Sequence, residues 1–317
     1  MKVLITGSEG FIGIHLKEHL MQLNYDVYGL DIKPSTSNNF RVVDILDYSS
    51  LLFYCDEIKP DIIVHLAARI DISDDDVTDY STNIVGVQNL INVSENISSV
   101  KRVIWTSSQL VNKLGYIRLN NINYKPTTSY GASKAIGELL VKTQVHNKEW
   151  TIIRPTNVWG PNMSEHYRKF LSYVNSRKYF HVAFSDIYKS YSYVANACFQ
   201  IEKIISSNAV FVNKKTFYIC DYEPIEVKNW VNRFAFYFGV KKPITFPYTL
   251  SFLVVNIFDI LKNISVLKRV PITKYTFQNI LTHYIIENRE LHSVTGDLPF
   301  NNEQGIKITS KWFKNLN

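Results

Sequence analysis

Met1-Lys2-Val3-Leu4-Ile5-Thr6-Gly7-Ser8-Glu9-Gly10-Phe11-Ile12-Gly13 opens the chain. Residues 3–6 form a continuous apolar run that stops at a glycine, and residues 11–23 carry apolar side chains at helical spacing. A strand buried on both faces reads as such a run, so the stretch spells strand, glycine turn, helix. Gly7 permits a tight turn, Gly10 lets a pyrophosphate approach the backbone, and Gly13 allows close packing of the helix. The helix start offers N–H groups, beginning with those of Phe11 and Ile12, and a partial positive charge to phosphates.

The same alternation continues outward from this stretch. Apolar strand runs at 27–30, 62–66, 103–105 and 151–153 are separated by helix-like segments at 49–58, 80–96 and 129–146. Parallel strands need such crossover connections, so the first 161 residues read as a doubly wound parallel α/β sheet. After Pro161 the rhythm weakens. Residues 188–194 and 216–219 read as strands, and 195–206, 225–238 and 247–261 as helices. The expected organisation is a nucleotide-binding domain over 1–161, to which segments around 188–220 return, and a smaller mixed α/β substrate domain over 162–317.

Asp31 ends the second apolar strand, where a carboxylate accepts hydrogen bonds from ribose hydroxyls and repels a 2′-phosphate; this favours NAD over NADP. Asp44 and Ile45 follow the third strand and are either adenine contacts or ordinary strand-end residues.

The chain has 317 residues, 46% hydrophobic and 20% charged, enough for a large core. Its three cysteines, Cys55, Cys198 and Cys220, are widely spaced and odd in number, which argues against a disulfide framework or a metal site and for a cytoplasmic setting. The net charge of +7 comes from scattered pairs such as Lys241-Lys242 and Lys268-Arg269, with no aromatic-interleaved basic stripe, so nucleic acid is not an expected partner. The most lipid-like stretch, 246–267, is broken by Asn256, Asp259 and Lys262. A transmembrane span is not expected there; a helix packed in the second domain or an interfacial helix remain as readings.

Tyr130-Gly131-Ala132-Ser133-Lys134 places a phenol and an ammonium at i and i+4 on one helix face. A free tyrosine, with a pKa near ~10, is a poor base at neutral pH, and a neighbouring cation lowers that value. Thr106-Ser107-Ser108 follows the fifth apolar strand, at the end that faces the ligand crevice of a parallel sheet, so Ser108 can hydrogen-bond a reacting oxygen.

With these motifs in place the sequence resembles the extended short-chain dehydrogenase/reductase family with its Rossmann-type fold, and within it the nucleotide-sugar epimerases and dehydratases. The matching pieces are TGSEGFIG (6–13), DILD (44–47), HLAA (65–68), NIVGVQNL (83–90), TSS (106–108), YGASK (130–134), RPTNVWGP (154–161) and KSYSYVANA (189–197), over about residues 1–200. The resemblance implies that Gly7, Gly10, Phe11, Ile12 and Gly13 bind the pyrophosphate of NAD, Asp31 the ribose, and Asp44 and Ile45 the adenine. It implies that Leu66, Ala67 and Ala68 line the cofactor path and that Pro155 sits by the nicotinamide. Tyr130 becomes the acid/base, Lys134 its activator and ribose ligand, Ser108 the substrate-orienting hydroxyl, and Asn157 a contact to the diphosphate or sugar. His15 and His65 fall at family positions with structural roles. Gln109-Leu110 stands where the 4,6-dehydratases carry Asp-Glu, which disfavours elimination of water. The implied activity is 4-epimerisation of a nucleotide sugar through a keto intermediate, in the setting of polysaccharide biosynthesis. A ketosugar reductase, a dehydrogenase for sterol-like alcohols and a non-catalytic NAD-binding regulator are the alternatives. A homodimer built from the helices at 80–96 and 129–146 is expected, because Ala135, Ile136, Leu139, Leu140 and Val141 form a band too broad for one buried face.

Overall fold

The apolar run at the N-terminus is strand β1 (Lys2–Thr6), and the helix that follows the glycines is α1 (Phe11–Gln22), which buries Gly13, Leu16 and Leu20 along one face. The computed structural model describes residues 1–72, 76–116, 124–182, 186–263 and 274–316. Strands β2 (Asp26–Asp31), β3 (Phe40–Val42), β4 (Ile62–His65), β5 (Arg102–Thr106) and β6 (Glu149–Pro155) join β1 and the strand Lys215–Ile219 in one sheet. Among the described residues its order is Lys215–Ile219, β6, β5, β4, β1, β2, β3, and every pairing is parallel. The architecture is thus the Rossmann-like doubly wound α/β sheet.

Helices α2 (Tyr48–Ile58), α3 (Ser81–Asn96) and α4 (Ser129–Gln144) supply crossovers. The chain winds from β1 out to β2 and β3, then returns to place β4 on the other side of β1. That reversal opens a crevice at the carboxyl ends of β1 and β4, where Thr6 is in register with His65. Inward residues of the strands and helices make one apolar core, including Leu4, Leu30, Ile63, Leu90, Val103 and Ile152. The helix starts follow from local caps: the Asp47 carboxylate accepts the Ser50 N–H at 3.1 Å, and the Thr128 hydroxyl accepts the Gly131 N–H at 3.0 Å.

The chain divides into two compact units. The first comprises Met1–Val158, Ser192–Tyr222 and Ile286–Phe300 and holds the sheet. The second comprises Trp159–Tyr191, Glu223–Ile285 and Asn301–Asn317. It is built on helices Glu165–Asn175, Val227–Phe238 and Asn302–Lys314 around an aromatic core. There Trp230 meets Trp159 edge-on at 5.4 Å, Phe234 edge-on at 5.0 Å and Phe170 face-on at 5.8 Å.

Several element boundaries differ from those read in the sequence. The run at 188–194 is two short strands, Tyr188–Lys189 and Tyr191–Tyr193, and Val194 already begins the helix Val194–Ser206. Ile225 belongs to a short strand, because the Glu226 side chain caps the next helix by accepting the Asn229 N–H at 3.3 Å. The segment at 247–261 is the helix Tyr248–Asn263. The end of the 246–267 stretch and the Lys268-Arg269 pair lie outside the described residues. No helix among the described residues is long and apolar enough to cross a membrane.

Candidate active site

The glycine turn is held by the neighbouring strand: the Gly7 and Ser8 N–H groups both donate to the Leu30 carbonyl, at 2.8 and 3.2 Å. Gly7 has φ +70°, and a Cβ there would lie 2.6 Å from the Ala67 nitrogen, so the turn rests backbone against backbone on the end of β4. A Cβ on Gly13 would lie 2.3 Å from the Gly7 carbonyl oxygen; the close approach is between α1 and the turn itself. Helix α1 has Gly10 as its cap, with no side-chain acceptor and no acidic residue in the first turn. The N–H groups of Phe11, Ile12 and Gly13 therefore stay available to an anion. This cradle fits a dinucleotide pyrophosphate.

Asp31 sits at the end of β2 and is only 8% exposed. One carboxylate oxygen accepts the Glu9 N–H at 3.0 Å and the other the Lys33 N–H at 3.0 Å, so the carboxylate braces the turn while keeping lone pairs for a ribose. Asp44 is exposed, and its side chain accepts the Leu46 N–H at 2.9 Å. Ile45 turns its side chain into the core, where a Cβ on Gly86 would lie 2.4 Å from the Ile45 Cδ1. Any contact of Ile45 with a nucleotide thus falls to its backbone.

Along the floor of the crevice the Leu66 N–H donates to the Thr6 carbonyl at 3.0 Å and the Ala67 N–H to the Thr6 Oγ1 at 3.2 Å, leading on to Ala68. The same hydroxyl pairs with His65 Nδ1 at 2.8 Å. Burial, reinforced by the Lys134 charge, holds His65 down at about 3, so the ring is neutral.

Ser108, Tyr130 and Lys134 come together at the carboxyl end of β5. The Ser108 hydroxyl lies close enough to the Tyr130 phenol to favour its ionised form, and it accepts the Leu110 N–H at 3.1 Å. Helix α4 is drawn tightly onto this loop, for a Cβ on Gly131 would lie 2.1 Å from the Leu110 carbonyl oxygen. The Lys134 ammonium is buried and donates to the Thr106 carbonyl at 2.9 Å. Burial lowers it to about 8, against the opposing charge of Glu138. The Tyr130 phenol is pushed up to about 12 by burial, with the Ser108 hydroxyl pulling the other way and Tyr80 adding to the rise. Among the protein's own groups burial outweighs the Ser108 hydroxyl. Pro155 ends β6, and the Asn157 side chain accepts from Gln109 Nε2 at 3.2 Å.

Two supporting groups were not singled out from the sequence. Asn83 on α3 donates to the Arg69 carbonyl and to Ser133 Oγ, both at 2.9 Å, and so ties α3 to the Tyr130 helix. Glu138, one turn beyond Lys134, is buried and accepts from Arg154 Nε at 2.7 Å, Arg154 Nη2 at 2.8 Å, Ser107 Oγ at 2.6 Å and the Tyr124 hydroxyl at 2.8 Å. Burial alone would raise its pKa; the Arg154 hydrogen bonds and charge, with Ser107 and Lys142, reverse this and hold the carboxylate below its ordinary range. The signal for this pair was a lone arginine in an apolar strand run.

The family model for the NAD dependent epimerase/dehydratase family matches residues 3–179. The chain belongs to that family. Members are NAD-dependent enzymes, and NAD is the cofactor the cradle is built for. Among curated relatives it is similar to a UDP-glucose 4-epimerase of Mycolicibacterium smegmatis, 31% identical over 186 residues that cover 52% of this chain and 59% of the relative. It is also similar to the N-acetyl-alpha-D-glucosaminyl-diphospho-ditrans,octacis-undecaprenol 4-epimerase of Escherichia coli O157:H7, 26% identical over 323 residues, covering 98% of this chain and 94% of the relative. The matches to the first three curated relatives span only 55–59% of those proteins' lengths. Among solved structures the fold is shared with the Thermus thermophilus UDP-glucose 4-epimerase complex with NAD, at TM-score 0.74, 20% identity and full coverage of both chains. It is shared too with the Thermotoga maritima UDP-glucose 4-epimerase, at TM-score 0.75 and 19% identity, covering 100% of this chain and 99% of that one.

Proposed function

We propose that the protein is a 4-epimerase of a nucleotide-activated sugar, working through a transient keto intermediate. The observation that carries the reading is the meeting of Ser108, Tyr130 and Lys134 at the carboxyl end of β5, in the same unit as the glycine cradle. In this reading Gly7, Gly10 and Gly13, with the first N–H groups of α1, hold the pyrophosphate of NAD. Asp31 takes the ribose hydroxyls, Asp44 and the Ile45 backbone border the adenine, and Leu66 to Ala68 line the path. Pro155 flanks the nicotinamide side and Asn157 the sugar or its diphosphate. The second unit supplies the substrate-binding surface.

NAD, when bound, supplies a positively charged ring that accepts hydride. Tyr130 takes the proton of the sugar hydroxyl and later returns it, and Ser108 orients that oxygen. Lys134 holds a cation one helical turn from Tyr130, and a cation beside a phenol favours its ionised form. Glu138 and Arg154 fix the helix that carries both groups. The three cysteines are buried thiols outside any disulfide, which suits a cytoplasmic enzyme.

A homodimer through α3 and α4 is part of this proposal. Val85 and Leu139 are exposed, and Ile136 and Leu140 half-buried, on these packed helices. A second reading of the substrate, a sugar carried on a polyprenyl diphosphate, is favoured by one observation: the relative with that printed substrate matches over nearly the whole chain. Incubation of the purified protein with UDP-, GDP- and dTDP-sugars and with a polyprenyl-diphosphate sugar tests the proposal. Interconversion of 4-epimers without added cofactor supports it; net consumption of added NADPH makes the protein a reductase instead.

A further inference from the structure

The helix Tyr248–Asn263 of the second unit has two apolar faces. One is packed: Ser251 and Val255 are buried, and the rings of Tyr248 and Phe252 lie 5.8 and 6.3 Å from that of the buried Phe277. Opposite to it Leu250, Leu253, Val254, Ile257 and Ile260 recur three and four residues apart and form one stripe. All five are between 37% and 58% exposed. An aliphatic stripe of this length turned outward marks an interaction surface.

The charge of the sequence on either side of it says what covers it. Residues 227–286 hold eight Lys or Arg and a single acidic residue, Asp259, a net of +7 that equals the formal charge of the entire chain. The exposed pair Lys241-Lys242 lies in this segment, seven residues before the start of the helix. Two copies meeting through this stripe would bring two such segments together, which like-charge repulsion opposes. An aliphatic stripe carried by a segment of net positive charge is the pattern of a helix that lies in the plane of an anionic bilayer. Its 16 described residues are fewer than the about 20 that a span takes.

We infer that the helix Tyr248–Asn263 seats the protein on an anionic lipid surface, with Leu250, Leu253, Val254, Ile257 and Ile260 entering the headgroup boundary and Lys241 and Lys242 facing the headgroups. The inference stands apart from the identity of the sugar, and it gives a lipid-borne substrate a surface on which to meet the enzyme.

Flotation of the purified full chain with vesicles tests it, using phosphatidylcholine alone and phosphatidylcholine mixed with phosphatidylglycerol. The expected result is flotation with the mixed vesicles, weakened by salt and poor with phosphatidylcholine alone. Leu253→Glu/Ile257→Glu loses at least about tenfold in vesicle affinity, and Lys241→Glu/Lys242→Glu loses the dependence on phosphatidylglycerol. Far-UV circular dichroism and the thermal unfolding profile of the full chain report that each variant is folded. The inference is overturned if the wild-type chain stays unfloated with the mixed vesicles, or if a folded Leu253→Glu/Ile257→Glu floats as the wild type does. It is also overturned if light scattering finds a self-association that this variant abolishes, which makes the stripe an interface between copies. Should that variant not fold, the wild-type lipid and salt dependence and the lysine variant decide alone.

Discussion

Separating Glu138 from Arg154 is the sharpest test of how the tyrosine helix is held. Both side chains are essentially inaccessible, at 1% and 0% exposure, and two hydrogen bonds of 2.7 and 2.8 Å join them in a fork. Removing Arg154 leaves the buried Glu138 carboxylate with the Lys142 ammonium at 3.4 Å as its remaining ion-pair partner, at a cost approaching about 3–5 kcal/mol. At roughly 2–4 °C per kcal/mol for a domain of this size, Arg154→Met should lower the unfolding midpoint of the first unit by about 10 °C. The double variant Glu138→Met/Arg154→Met removes both charges and fills the space with apolar volume, so most of that loss should return. Recovery stops short because the Ser107 and Tyr124 hydroxyls lose their acceptor, which leaves about 1–3 kcal/mol. Calorimetry of wild type, both single variants and the double variant measures the coupling directly. If the two single losses simply add in the double variant, the pair is not acting as a pair and the account of the helix fails.

Tyr130→Phe should bind NADH close to normally and lose at least ~100-fold in turnover, the usual scale of acid–base catalysis; near-wild-type turnover ends the proposed role. Lys134 acts as a cation whose value is lowered by burial to about 8, so kcat/KM should fall as pH rises through that value. Glu138→Gln removes the charge that raises Lys134 and should move this falling limb to lower pH; a limb that stays in place contradicts the coupling. Gly131→Ala sets a methyl 2.1 Å from the Leu110 carbonyl oxygen and should displace the start of α4, lowering turnover more than NADH affinity in stopped-flow binding. Leu139→Glu should convert a dimer to a species near 36.8 kDa by light scattering; a wild type already of that mass with full activity removes the dimer as a requirement.

Much of the sheet and the two chemical motifs were legible because each is local. Gly7, Gly10 and Gly13 act through backbone shape within one turn, and Tyr130 and Lys134 share one helix face by spacing alone. The Glu138–Arg154 pair was less visible, since it joins a helix to a strand and no spacing rule links them. Spacing brings Lys134 near Tyr130 but does not show that its ammonium also donates to the Thr106 carbonyl. Ile45 was placed correctly along the chain, yet only the contact with Gly86 shows that its side chain points away from the crevice. In the second unit the packing is aromatic and aperiodic, with Trp159, Phe170, Trp230 and Phe234 drawn from separate segments, and no periodic rule assembles them.

In the proposed reading the Asp31 carboxylate does two jobs with one side chain: it would close the β2 end against a 2′-phosphate, and it anchors the Glu9 N–H of the glycine turn. On that reading a change of cofactor preference in this chain is coupled to the glycine turn. A mutation that opened the pocket to a phosphorylated ribose would at the same step leave a backbone donor of the pyrophosphate loop without its acceptor. On that reading acceptance of NADP calls for two coordinated changes, one to admit the extra phosphate and one to re-tether the loop.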